Sequence, residues 1–400
     1  MEYKLKDIIT FKPGYAFKKS DMTDIGIDLV KIGNLKNNKV IIPSGVKIKE
    51  DTKFKDFIIN KGDILMALTG DPVYKGNIQT WVGRTSIYLN NKVAYLNQRV
   101  CKLIPNEKII LGDYLYYWLI RHDKIYEIAG LFHGSANQAN ISHKEVGEMS
   151  IELPSLEIQK KASNILSDID KKIELNNEIN NNLHDLAEQQ FNEIYLKGSP
   201  KKLGELLVNI STGSRPKGGA QDCGVPSIGA EKIEKFGVYN YSSEKYISEE
   251  YYEKLKNGKL NSGDVLLYKD GAYTGKVSMC LNDFPHKKAA VNEHVFILNT
   301  KNNWAQNYLY FTLYNKDNKE MIHRLACSKA AQPGLNQIEL KSVEVNICDE
   351  KEIINFENSV KPIMEKISSN TLENKKLVEL RDTLLPKLMN GEIDLDNIEI

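Results

Sequence analysis

Two stretches of the chain carry apolar residues at alternating steps of four and three. The first runs through Ile158, Ala162, Ile165, Ile169, Lys172, Asn176, Ile179, Leu183, Leu186 and Gln190. The second runs through Ile353, Phe356, Val360, Ile363, Ile367, Asn370, Asn374, Leu377, Arg381, Leu384 and Leu388. Such steps over about five heptads predict two long helices with a coiled-coil seam. The expected pairing positions are Ile165, Ile169, Asn176, Ile179 and Leu183 on the first helix. On the second they are Ile363, Ile367, Asn370, Leu377 and Leu384. Both seams turn polar near the middle, at Asn176 and Asn370. A seam Asn costs stability and fixes register; the alternative is that these two sit on a solvated face. A helix of ~36 residues is ~54 Å long at 1.5 Å per residue, too long to fold away inside a small globule. Each helix is therefore expected to pair with the other, antiparallel about a pseudo-two-fold axis. Pro154 and Pro200 bracket the first helix, and Pro386 to Gly391 mark the end of the second.

A stretch of mixed character precedes each helix. Short apolar runs bounded by Gly, such as Ile64 to Leu68 and Val265 to Tyr268, read as buried strands. Gly70-Asp71-Pro72 and Asp270-Gly271 break them into loops. Segments 112–128 and 305–325 have helical spacing. The two halves also match each other. Lys4 to Ile9 aligns with Lys202 to Leu207, Ile32-Gly33-Asn34 with Ile228-Gly229-Ala230, and Gly62 to Leu65 with Gly263 to Leu266. Asn97 to Val100 aligns with Asn292 to Val295, Tyr114 to Tyr117 with Tyr308 to Phe311, and Gln138 to Ile141 with Gln332 to Leu335. Six matches in one order at nearly one offset predict an internal duplication. The fold class is α+β, with two tandem mixed globules separated by two long helices that form an antiparallel coiled coil. The expected boundaries are 1–153, 154–198, 199–349 and 350–400.

Composition narrows the function. The 400 residues are 41% hydrophobic with a net charge of +1, which excludes a disordered chain. No apolar run is long enough to span a membrane. The N-terminal residues show no secretory h-region, and five widely spaced Cys without a CxxC read as reduced thiols. A cytoplasmic protein is expected. Net charge is +5 over 1–156, −3 over 157–200, +2 over 201–350 and −3 over 351–400, so cationic globules alternate with acidic helices. Gly271 to Val277 falls short of a phosphate-binding Walker loop, with three residues between its glycines and Val after Lys276. There is no GxGxxG, and the seven His show neither HxH nor HExxH spacing, so no metal site or catalytic residue is expected. A duplicated chain without a visible active site reads as a binding or scaffolding protein.

At its C-terminal end the chain resembles the DNA-specificity (S) subunits of type I restriction–modification systems. Leu380-Arg381-Asp382-Thr383-Leu384-Leu385-Pro386-Lys387-Leu388-Met389-Asn390-Gly391-Glu392-Ile393 looks like that family's usual ending. Gln332-Pro333-Gly334-Leu335-Asn336 resembles the stretch before the helix in many members. The first copy departs from this, with Gln138-Ala139-Asn140-Ile141-Ser142 lacking the Pro. The layout of two globules, each followed by a helix, matches over the whole chain.

The resemblance implies two target-recognition domains, each reading half of a bipartite sequence in double-stranded DNA. It implies that this chain is not catalytic and binds no cofactor. Two methyltransferase subunits would methylate adenine with S-adenosylmethionine, and two restriction subunits would add ATP- and Mg-dependent translocation and cleavage. The residues expected to meet DNA in the first copy are Lys12, Tyr15, Lys36, Asn37, Thr69, Lys75, Arg84, Gln98 and Arg99. In the second they are Arg215, Lys217, Lys269, Tyr273, Lys276, Lys287, Lys288 and His294. Arg, Lys, Asn and Gln read base edges, while Lys, Ser, Thr and Tyr commonly take phosphates. Three other readings stay open at this point. They are a system whose partner is a fused methyltransferase–nuclease, a protein-binding scaffold, and an enzyme with an unrecognised site.

Overall fold

A computed structural model describes residues 1–42, 45–74, 78–133, 139–271, 273–328 and 334–395, with the side chain of Asn302 outside it. The chain divides into two units. One is Met1–Lys171 with Glu379–Ile400, and the other is Lys172–Val378.

In the first unit the apolar run Ile64–Ala67 lies inside a six-stranded sheet. The strand order is Ile9–Pro13, Val100–Pro105, Ile64–Ala67, Thr85–Ile87, Lys39–Val40, Leu35–Lys36. The first four are antiparallel neighbours. All four residues of the run are buried, as a strand covered on both faces requires. A five-stranded sheet beside it contains the parallel pair Ile27–Val30 and Ala94–Leu96. Helices Gly112–Leu119 and His122–Gly130 follow, and the first sends Tyr114 to Leu119 into the same core as Ile64 and Met66.

The second unit repeats this plan. Its four-stranded sheet runs Leu207–Thr212, Val295–Thr300, Val265–Tyr268, Val277–Met279, all antiparallel. Val225–Ile228 and Ala290–Val291 form the parallel pair. Helices Gln306–Tyr314 and Lys316–Cys327 complete it. The repeat extends to single residues. Gly62 and Gly263 both adopt φ +93°, a left-handed turn that favours glycine. The next residue closes that turn in each copy, Asp63 accepting from the Asn60 amide at 2.7 Å and Asp264 from the Asn261 amide at 2.8 Å. Ser142 and Asn336 each cap a short helix reciprocally with a Glu three residues on. The missing Pro of the first copy does not alter that cap.

The long helices are Leu156–Tyr195 and Glu350–Met389. Each contributes to both units. In the first unit Arg381 reaches Asp170 at 2.9 Å. In the second unit Asn176 donates to Asn374 and Glu373, both at 2.8 Å, and Asn370 donates to Asn180 at 2.9 Å. The partner's number falls as the residue's rises, so within each unit the segments run antiparallel.

Asn176 and Asn370 are each 1% exposed, so the solvated-face alternative is overturned. Their partners, however, are Asn374 and Asn180. Ile367 is buried, while Ile165, Ile169, Ile179, Leu183, Ile363, Leu377 and Leu384 are half-buried. The first seam also drifts. Leu186 is exposed, and His184, Ala187 and Phe191 are buried in its place. A straight helix turns about 20° per heptad away from a strict 3.5 repeat. His184 and Phe191 pack on the second unit's own helix, at Tyr310 and Phe311. Met1 and the segment Leu388–Leu395 line one cavity of the first unit, as the antiparallel arrangement requires.

Candidate nucleic-acid interface

The same three loops converge in each unit. In the first, the Leu68 amide donates to the Arg99 carbonyl at 2.9 Å, and the Ile141 amide to the Leu68 carbonyl at 3.1 Å. In the second, the Lys269 amide donates to the His294 carbonyl at 3.1 Å, and the Leu335 amide to the Lys269 carbonyl at 3.0 Å. Arg99 and His294 therefore occupy corresponding places. The loop after the first strand packs against them by a close backbone approach. A Cβ on Gly14 would lie 2.2 Å from the Asn97 carbonyl oxygen, and one on Gly213 1.6 Å from that of Val291. Only glycine allows such an approach.

The side chains on this shared frame differ. In the first unit Gln98 and Arg99 stand exposed on the turn, and Arg99 makes no ion pair among the described residues. Lys36 and Asn37 are exposed on a hairpin tip, where the Asn37 amide donates to Gln79. Lys12 is half-buried and 3.7 Å from Asp56. Lys75 lies outside the described residues.

Three expectations for this unit are corrected. Arg84 donates to the backbone carbonyls of Leu35, Ile32, Thr80 and Trp81, so its guanidinium is used inside the fold, and burial lowers its pKa. Thr69 is buried and donates to Asn140 at 2.9 Å. Tyr15 packs in an aromatic cluster with Phe17, Phe54 and Phe57 at centroid distances of 5.1 to 5.2 Å. All three hold the loops rather than present them.

In the second unit the turn carries an ionic network. Arg215 pairs with Glu293 at 2.9 Å, and His294 lies 3.3 Å from Glu293 and 3.2 Å from Asp270. Asp270 also takes Lys269 at 2.6 Å. Lys276 is bonded to Glu234, and Lys288 pairs with Glu249 and Glu253 at 2.5 and 3.1 Å. Lys217 and Lys287 are exposed and make no ion pair among the described residues. Tyr273 is 64% exposed, with the Lys276 ammonium 4.9 Å from its ring centre.

Sequence reading missed the acidic partners Asp270, Glu293 and Glu234, since partnering depends on which loops meet. It also missed Tyr74, likewise 64% exposed. The pattern Asp71-x-x-Tyr74-x-Gly76 repeats as Asp270-x-x-Tyr273-x-Gly275 and was a signal that could have found it.

One group among the described residues could hold a metal ion: His184, Asp185 and Glu188, with ligand atoms within 4.8 Å of one another. It does not suit one. Burial pushes the His184 pKa down to about 3, and the positive charge of Lys235 lowers it in the same direction. A place that disfavours one added positive charge disfavours a cation as well. His184 Nε2 is also engaged with the Tyr310 hydroxyl at 2.9 Å.

Comparison with known proteins defines the class. Residues 1–185 match the family described as type I restriction modification DNA specificity domain. The chain is 23% identical to the type I restriction enzyme HindI specificity subunit of Haemophilus influenzae, over 91% of this chain and 94% of that one. It is 24% identical to the MjaIX specificity subunit of Methanocaldococcus jannaschii, over 76% of this chain and 73% of the relative. A solved type I S subunit from M. genitalium shares the fold with a TM-score of 0.59 at 17% identity, covering 97% of this chain and 95% of that one. Residues 1–185 thus carry the DNA specificity domain of type I restriction–modification systems, and over most of its length the chain is similar to their specificity subunits. That family recognises DNA and is not catalytic, and no described helix is long and apolar enough to cross a membrane.

Proposed function

We propose that this chain selects the DNA sequence on which a type I restriction–modification complex acts, each copy reading one half of a bipartite target. The observation that carries the reading is the repeated loop frame with different side chains upon it: Gln98 and Arg99 in one copy, Glu293 and His294 in the other. A common frame with exchanged donors and acceptors is what two different half-sites require. Gln98, Arg99, Lys36 and Asn37 serve the first half-site. Arg215, Lys217, Lys269, Tyr273, Lys276, Lys287, Lys288 and His294 serve the second, with the ion-paired cations exchanging a carboxylate for a phosphate on binding. The paired helices set the unread gap between half-sites.

Catalysis belongs to partners. Two methyltransferase subunits supply adenine methylation with S-adenosylmethionine, and two restriction subunits supply cleavage with ATP and Mg, in the cytoplasm. The test is methylome sequencing of a host with and without this gene, alongside a cognate methyltransferase. One bipartite motif with methyladenine in both half-sites, lost on deletion, is the expected result. Exchange of residues 1–150 should then change one half-site alone. An unchanged methylome with the partner expressed overturns the reading in favour of a protein-binding scaffold.

A further inference from the structure

The second unit carries a cluster of cations that extends the recognition loop at Lys276 onto the neighbouring helix. A cleft of about 480 Å³ opens between the loop at Tyr273 to Lys276 and the helix Lys316–Cys327. Lys276, Lys316, Lys319 and Arg324 line it, with His323 and one carboxylate, Glu320. Arg324 is paired with Glu320 at 3.2 Å and Lys276 with Glu234. Lys316 and Lys319 make no ion pair among the described residues. Lys316 stands at the first position of the helix, where the backbone's own partial positive charge adds to the ammonium rather than opposing it. Such a concentration of like charge opposes folding and favours an anion from outside.

The cleft is also firmly built. The Thr274 carbonyl meets His323 Nδ1 at 3.1 Å. A Cβ on Gly275, at φ +99°, would lie 3.3 Å from the Lys319 carbonyl oxygen, so loop and helix are closely packed. The exposed Tyr273 ring stands at its edge.

The sibling copy shows that these cations are not needed to build the fold. At the 194-residue offset that relates Tyr114 to Tyr308, Lys316, Lys319, His323 and Arg324 correspond to His122, Ile125, Ala129 and Gly130. The first copy forms the same helix without them.

We propose that this cleft of the second recognition unit is a phosphate clamp for the backbone of double-stranded DNA. Lys316 and Lys319 neutralise the phosphates, and Tyr273 packs on the sugar–phosphate edge. The clamp adds affinity without sequence information. It rests on the DNA-reading function above and deepens it.

The test uses the full chain assembled with its methyltransferase subunits. Binding to the target duplex and to a scrambled duplex is measured over a series of salt concentrations. Each phosphate that the protein neutralises adds about 0.9 to the steepness of the log–log salt slope. Lys316→Gln/Lys319→Gln should therefore make it shallower by roughly 2 on both duplexes. The ratio of target to scrambled affinity should stay at its original value. Lys316→Arg/Lys319→Arg, which keeps both charges, should restore the slope. A slope unchanged in the Gln variant overturns the clamp. A fall in the target ratio also overturns it, by making these residues base readers. Failure of the Gln variant to assemble with methyltransferase does so too, by assigning the cleft to the protein partner. The original complex separates the two levels of the argument. If it prefers the target and the variant's slope is unchanged, the clamp fails and the DNA-reading function stands.

Discussion

Arg84 and Arg99 carry the same charge in the same unit, and their surroundings give them opposite tasks. Arg84 satisfies four backbone carbonyls. Replacing it with Ala should cost about 3 kcal/mol or more, because hydrogen bonds to charged donors are among the stronger ones and the abandoned acceptors are poorly solvated. Thermal unfolding checks this. Arg99 is exposed and unpaired among the described residues, so Arg99→Ala should leave the stability within about 0.5 kcal/mol of the parent. It should lower discrimination at one half-site by about 1 to 3 kcal/mol, read as competition between matched and mismatched duplexes. Glu357 shows a third use of charge. It accepts from the Tyr308 amide at 2.8 Å and from Asn307 at 2.7 Å, and burial pushes its carboxyl up to about 7. The folded chain thus holds a proton there between its ordinary pKa and about 7, and that stabilisation is lost as pH rises through 7. Glu357→Gln removes the dependence. The variant should gain stability relative to the parent between about pH 5 and 8, by up to about 3 kcal/mol, in a series of calorimetric melts.

At the scale of elements, the buried Asn ladder sets the pairing of the helices in the second unit. Asn176 with Asn374 and Asn180 with Asn370 are two cross-helix pairs, and a slip of one heptad would separate both. Asn370→Leu strands the Asn180 carbonyl in a buried seam and should cost about 1 to 3 kcal/mol. Asn180→Leu together with Asn370→Leu should recover most of that loss, because removing both polar partners is far cheaper than removing one. A double-mutant cycle of melting data gives the coupling directly. The helices themselves were legible in the sequence, because steps of four and three report a buried stripe wherever it lies. The identity of the covering neighbour was not legible. Periodicity placed Leu183 and Leu186 on the seam, whereas the structure buries His184 and Ala187, since the second unit's globule covers part of that helix. The recognition loops show the same division. Their repeated positions were readable, but Arg84 and Arg99 looked alike until the fold showed which carbonyls surround each.

At the scale of the molecule, the last turns of the chain belong to the core of its first unit. Leu385, Leu388, Met389 and Leu395 are buried with Leu5, Ile8 and Leu166 in one cluster. Lys161 donates to the Leu395 carbonyl at 3.1 Å, and Arg381 bonds Asp170. Each large apolar side chain fully buried contributes roughly 1.5 to 3 kcal/mol. Four of them approach the entire stability of an ordinary domain, about 5 to 15 kcal/mol. Truncation after Val378 removes all four and leaves their apolar partners uncovered. The expected outcome is selective. Amides of 1–171 should lose protection in hydrogen exchange, while those of 199–347 keep theirs, because the second unit's core runs from Ala187 to Ile367 and uses none of the deleted residues. Adding a peptide of residues 379–400 in excess should restore protection to 1–171, since the four missing apolar side chains lie on one continuous stretch of chain. Uniform loss of protection across both units would show instead that the two cores fold as one cooperative block.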